Sequence, residues 1–260
     1  MAASGASFAS VDSHHAARTP FDDTTVALVS YHVGIVNEEV KHKLWAKTGG
    51  KYEKLKADVQ QIFRNQWGIQ ILLISGMGKM SEKLSHSSGG SHPTAEAIFK
   101  CIIADLDLTH IEVRANEPYV ALIDTTWWRV RTCELMNNIC DEKELVIQHL
   151  IVDHVETGAS MRCFNAHIPT SISTTARKKT AVLKMCTIAT GGGGSGVPQP
   201  TASMPWVIAG NLNIQRGNMM SWCQAFVRHN VECISESGWA VDDDAQKADY
   251  ALSQGIALHP

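Results

Sequence analysis

The chain has 260 residues, 44% apolar and 19% charged, enough to enclose one large layered core or two modest ones and too apolar for a wholly disordered protein. Twenty-three Lys and Arg against 26 Asp and Glu leave a formal charge of -3, so no global basic field draws in nucleic acid, although a local basic groove stays open. No apolar run approaches the roughly 18 residues that span a bilayer, and the N-terminal segment lacks the apolar stretch of a secretory signal. These features predict an intracellular protein without a membrane span. Seven cysteines, none spaced C-x-x-C, fit neither a disulfide framework nor a zinc ribbon and read as reduced, mostly buried thiols.

Residues 1–24 are rich in Ala, Ser, Asp and His, a composition that predicts a tail outside the core, disordered or draped over the fold. The remainder, 25–260, is expected to form one domain. Val26 to Tyr31 (VALVSY) reads as a buried strand. Tyr52, Leu55, Val59, Ile62 and Phe63 recur at helical spacing and predict a helix over 51–65. Gly68 ends it, and Ile69 to Ser75 (IQILLIS) is a second apolar strand, giving a strand, helix, strand unit.

Pro93 suits the first turn of a helix over 93–106 whose Ile98, Ile102 and Leu106 share a face. From His110 to Val152, HIEVRA, YVALID and TWWRVR are separated by short polar breaks and predict an antiparallel meander of half-exposed strands. Within it Trp127 and Trp128 place one indole on each face, while Arg129 and Arg131 read as solvated. MRCFNAHI (161–168) is another strand and 176–189 another helix. The Gly-rich segment 190–203 is expected to be a loop internal to the domain. A strand then begins at Trp206 and ends at Gly210-Asn211-Leu212-Asn213, followed by a short helix over 218–229 and strands over 231–235 and 249–253. This order predicts an α/β fold, a four-layer α/β/β/α sandwich of two mixed sheets with outer helices.

Three common chemistries are disfavoured by spacing. Gly76-Met77-Gly78-Lys79 follows a strand, but a phosphate loop needs a glycine where Leu73 stands and a hydroxyl where Met80 stands. His14, His15, His86 and His92 lie in polar stretches without metal-ligand spacing. The glycine-flanked serines are not at a strand-to-helix elbow, as a Ser-His-Asp hydrolase requires.

The informative couplet is Phe164-Asn165-Ala166-His167 at the end of one apolar strand and Ala209-Gly210-Asn211-Leu212-Asn213 at the end of a later one. With VALVSYHVGI and IQILLISGMG upstream, this order resembles the endonuclease/exonuclease/phosphatase superfamily over residues 26–255. The resemblance implies hydrolysis of phosphate esters with magnesium, where a cation neutralises developing charge and positioned donors hold the phosphoryl oxygens. It assigns His167, Asn211 and Asn213 to catalysis, and Asn165, Arg177 and Tyr119 to substrate binding.

The departures from that pattern fall on the metal and the base. His32 occupies the first-strand Asn position, Gly76 the metal-binding Glu position, and Asn211 the Asp of Gly-Asp-x-Asn. Glycine removes the main ligand of a hard cation, and an amide takes up no proton near neutral pH. Asp249 to Leu252 resembles the strand before the family's Ser-Asp-His turn, but no such turn follows, and an open sheet edge is the expected consequence. The resemblance thus implies a degenerate phosphoric-ester hydrolase with no secure metal ligand and with weakened or lost magnesium binding. Its expected partners are nucleic acid or a phosphorylated small molecule. The alternative from another class is a non-catalytic nucleic-acid or protein-binding module on the same fold. Substrate identity and oligomeric state are left open, because specificity in such a fold sits in loops.

Overall fold

The computed structural model describes residues 6–11, 26–33, 50–64, 68–77, 94–137, 139, 145–191, 204–215, 218–219, 221–222, 232–235, 247–254 and 258–259. The strands are β1 (Ala6–Val11), β2 (Val26–His32), β3 (Ile71–Ser75), β4 (Ile111–Asn116), β5 (Tyr119–Asp124) and β6 (Trp128–Met136). They continue with β7 (Ile147–His154), β8 (Ser160–His167), β9 (Trp206–Gln215), β10 (Glu232–Ser235), β11 (Lys247–Gln254) and β12 (Leu258–His259). The helices are α1 (Gly50–Arg64), α2 (Ala95–Asp105) and α3 (Thr175–Ala189).

Two six-stranded mixed sheets result, one ordered β12-β1-β2-β3-β5-β4 and the other β10-β11-β9-β8-β7-β6. Each contains one parallel pair, β2 with β3 and β8 with β9. Parallel neighbours need a long crossover, and α1 and α3 lie in these two connections. The sandwich therefore holds two strand, helix, strand units, one per sheet.

Period-two alternation sorts the side chains into layers. Val26, Leu28, Ile71, Leu73, Met161, Cys163, Val207 and Ala209 meet between the sheets. The alternate residues Val29, Leu72 and Ile74 pack against α1 and α2, and Phe164, Ala166 and Ile208 pack against α3. Helix, sheet, sheet and helix layers follow, as the apolar patterning predicts.

Both α2 and α3 start on a threonine N-cap whose side chain accepts from a backbone N–H three residues on, Thr94 from Ala97 and Thr174 from Arg177. α3 has no basic residue in its last turn. Arg162 of β8, buried at 1% exposure, supplies that charge from below, its guanidinium donating to the Ala189 carbonyl at 3.0 Å.

Three local expectations are corrected. Residues 6–11, read as part of a disordered or draped tail, form β1, which pairs along the whole of its length with β2. Composition is blind to this because the open edge of β2 recruits any extended segment through backbone groups. The edge of β2 is therefore covered, and β12 pairs with β1 in turn. The run from β4 to β6 is not one meander, because β4 and β5 lie in the first sheet and β6 in the second. β5 is buried over five of its six residues instead of half-exposed, since it sits between β3 and β4 with apolar layers on both faces. The helix expected from 93 begins at Ala95 with Thr94 as its cap, and Pro93 lies outside the described residues. Residues 192–203, 220 and 223–231 fall outside the described set, so the glycine segment and most of the 218–229 helix are not characterised; α3 and β9, which flank the glycine segment, share one core.

Candidate active site

The two parallel pairs end at the same place. In the first sheet His32 is in register with Ser75, and in the second His167 is in register with Asn211. All four are even-phase continuations of the residues that face the interlayer core, so their side chains emerge between the sheets at its carboxyl end. Strand carboxyl ends where connections diverge are the usual location of sites in α/β sheets.

The rim of this end is formed by His32, His167 and Asn211, each half-buried. The imidazoles of His32 and His167 approach across the sandwich to 4.8 Å between ring centroids, tilted by 34°. His32 Nδ1 lies 3.0 Å from Ser75 Oγ. Asn213 Nδ2 donates to the Ile168 carbonyl at 2.5 Å and reaches His167 Nε2 at 3.2 Å. The Ile168 bond fixes which end of the Asn213 amide carries hydrogens, because an amide oxygen there would face another oxygen. His167 Nε2 is therefore an acceptor, and the ring proton of neutral His167 resides on Nδ1.

Burial pushes the His167 pKa down to about 4, with the neighbouring His32 adding to the effect. Burial lowers His32 as well. Among the described residues no carboxylate acts on either ring to oppose this, and both imidazoles are held neutral at physiological pH.

Below the rim lie residues that hold it in place. Asn165, fully buried, spans the sandwich: its Nδ2 donates to the carbonyls of Ile74 and Val120 in the first sheet and to Gln148 Oε1, at 2.9, 3.3 and 3.2 Å. Its Oδ1 has no partner among the described residues. Tyr119, 1% exposed, donates its hydroxyl proton to the Val146 carbonyl at 2.5 Å and accepts from the His167 backbone N–H at 3.2 Å. Both were expected to bind substrate; the structure places them in the floor, where their bonds join strands.

Asn211 Oδ1 accepts from the Asn213 N–H at 3.0 Å, an Asx turn that supports Asn213 at a φ of 51°. Gly210, one residue before, has a φ of 147°, and a Cβ there would come within 1.9 Å of the Ala166 carbonyl oxygen. Only glycine lets β9 lie against β8 at this point. Gly76, at a φ of 89°, ends β3 and is followed by the Met77 N–H bonded to the Pro118 carbonyl.

Arg177 sits on the exposed first turn of α3. Its neighbour Lys178 makes the contact to the cluster, its Nζ donating to the Asn213 carbonyl at 2.6 Å. The sequence reading missed Lys178 and Ser75. Ser75 was legible as the even-phase partner of Ile71 and Leu73; Lys178 was not, because its contact depends on how α3 lies over β9.

The described side chains here are imidazoles, amides, hydroxyls and one ammonium. Among the described residues no group of three or more His, Cys, Asp or Glu could hold a metal ion. This donor set does not fit magnesium, which takes carboxylate and water oxygens. The lone pair of His167 Nε2 is already directed at an amide donor. Asp124, at the far end of β5, lies at the opposite end of the sandwich, since β5 runs antiparallel to β3 with Ile123 beside Ile71; Glu117, two residues before Tyr119, accepts from the Ala95 N–H at 2.8 Å, and the backbone of Asp249 on β11 is in register with Asn211.

No sequence-family model matches the chain, and no curated protein matches it by sequence. Solved structures do match its fold. An endonuclease/exonuclease/phosphatase from Bacteroides vulgatus is 8% identical at a TM-score of 0.56, with 87% of this chain and 86% of that one covered. The catalytic domain of human Nocturnin, with a bound sulfate anion, is 10% identical at 0.54, covering 90% and 86%. A mannosyl-6-phosphatase from Bacteroides thetaiotaomicron is 9% identical at 0.54, covering 88% and 85%. With two mixed sheets face to face, helices outside and the polar cluster at the carboxyl end of both parallel pairs, the chain has the endonuclease/exonuclease/phosphatase fold.

Proposed function

We propose that this protein binds a phosphate ester at the His32–His167 end of the sandwich and that its magnesium-dependent hydrolysis is impaired. The observation that carries the reading is the convergence of His32, Ser75, His167, Asn211 and Asn213 from both sheets, with no carboxylate bonded to them among the described side chains. Neutral N–H and O–H groups hold phosphoryl oxygens, and Lys178 brings a positive charge to the edge of the cluster. Hydrolysis needs more. A cation must be held against the developing charge, and a base must take a proton from water. Asn211 supplies neither, and His167 Nε2 is engaged by Asn213. The solved structures with this fold include a phosphatase and a catalytic domain with bound sulfate, which supports a phosphate-sized anion as the ligand. Nucleic acid and phosphorylated small molecules both present one.

The test combines turnover and binding. Hydrolysis of bis(p-nitrophenyl) phosphate is measured with millimolar magnesium and with chelator, and binding of a phosphorylated sugar is followed by phosphorus NMR line broadening. We expect no chelator-sensitive turnover, and broadening that is reduced in His167→Ala. Turnover abolished by both chelator and His167→Ala would overturn the impaired reading. Equal broadening by the parent and His167→Ala would overturn the binding site.

A further inference from the structure

We propose that the opposite end of the sandwich carries a second ligand site, for a phosphate that bears an aromatic base, with the base stacked on Trp127 and the phosphate on Arg129. β8 runs from Ser160 to His167, so at about 3.3 Å per residue the two ends lie roughly 20–25 Å apart. The proposal does not rest on the site described above.

Trp127 is 43% exposed and Val155 beside it 50%, two of the large apolar side chains open to solvent among the described residues. The main chain that carries the indole is held: the Trp127 backbone N–H donates to the Asp124 carbonyl at 3.2 Å, and the Trp127 carbonyl accepts from the Val155 backbone N–H at 2.8 Å. Its ring lies 6.0 Å from that of His154, which is wedged edge-on against the buried Trp128 at 5.0 Å. Thr157 N–H donates to His154 Nδ1 at 3.2 Å, which sets the ring's tautomer and keeps it in place. An exposed aromatic face on a bonded main chain, with a held ring on one side, has less freedom to lose when a planar group covers it.

Next to this face is a cavity of about 220 Å³ lined by Arg129, Arg131, Asp153, His154, Val155 and Gly158. The volume is below the roughly 300–1,000 Å³ of pockets that enclose a whole small molecule, so it suits a phosphate with its base outside. The charge of Arg131 is matched, because its Nε donates to Asp153 at 3.0 Å and Asp153 is held by Ser160. Arg129 is exposed and has no carboxylate partner among the described residues. The lining thus carries one unmatched positive charge beside a fixed indole, the pairing that single-stranded nucleic acids and free nucleotides use.

The experiment measures fluorescence anisotropy of a labelled ten-nucleotide oligothymidine at low salt, on a His167→Ala background so that the first site is silenced. Trp127→Ala is expected to weaken binding about tenfold or more, as loss of one base stack does, and Trp127→Phe to retain most of it. Arg129→Gln should weaken binding a few-fold and lower the salt slope by about one. Duplex DNA of the same length should bind less, because its bases are not free to stack. Thymidine monophosphate competing as well as the oligonucleotide, per nucleotide unit, would assign the site to free nucleotides; competition by the oligonucleotide alone would assign it to strands. Unchanged affinity in both Trp127→Ala and Arg129→Gln, each with the parent's melting temperature, would overturn the proposal. So would the lack of any salt-dependent binding on the His167→Ala background.

Discussion

His32 and His167 come from different sheets and meet with their ring centroids 4.8 Å apart, both neutral because burial disfavours the imidazolium. A pH dependence of stability follows. The unfolded chain gains protons on these rings below the ordinary histidine pKa of 6.5, while folded His167 gains none until about pH 4. Between these values the unfolded state binds more protons, so stability rises with pH. It is full above pH 6.5 and is lost as pH falls toward 4. His167 alone contributes at most about 3 kcal/mol to this loss, and His149, also lowered by burial, adds to it. Urea unfolding between pH 4 and 7.5 should show the slope, and His167→Gln should flatten it; an equal slope in that variant would show that other groups set the acid limit.

Asn165 joins the sheets through three acceptors. Asn165→Ala leaves them without that donor in a layer closed to water, and a cost of about 3 kcal/mol is expected from unsatisfied buried groups. Thermal unfolding checks this. A loss below about 1 kcal/mol would mean that Gln148 and the freed carbonyls find other partners.

Gly210 separates steric from conformational cost. Its hypothetical Cβ collides with the Ala166 carbonyl, whereas Gly158 and Gly68, at φ of +68° and +59°, have nothing within 4 Å. Gly210→Ala should cost more than about 4 kcal/mol or prevent folding. Gly158→Ala should cost only about 1–2 kcal/mol for the left-handed backbone. Comparable melting temperatures for the two variants would show that β8 and β9 can separate without penalty.

The thiols of Cys133 and Cys163 should be inert in the folded protein. Burial pushes Cys133 up to about 11 and Cys163 to about 12, so almost no thiolate is present at pH 8. Brief alkylation at pH 8 read out residue by residue by mass spectrometry should leave both unmodified and label them after denaturation. Rapid labelling of Cys163 in native protein would reveal local opening between the sheets.

Much of this molecule is written in local pattern. The apolar phase of VALVSY and IQILLIS and the helical spacing from Tyr52 to Phe63 predict the layers and place His32 and His167 at strand ends, because strand and helix periods sort side chains within a few residues; Asn211, read as a strand end, lies inside β9, which continues to Gln215 beside β11 after its pairing with β8 stops. What the residues then touch is decided across sheets. Asn165 and Tyr119 look like ligands for substrate when read beside His167, yet their partners Ile74, Val120, Gln148 and Val146 lie far along the chain and turn them into joints. The tautomer of His167 depends on an amide 46 residues later, and Lys178 reaches Asn213 only once α3 has packed on the second sheet. β1 belongs to the same class, since its pairing is made by backbone groups that carry no sequence signal of their own. Periodicity determines which face a side chain takes, and long-range packing determines whether that side chain is available to a ligand.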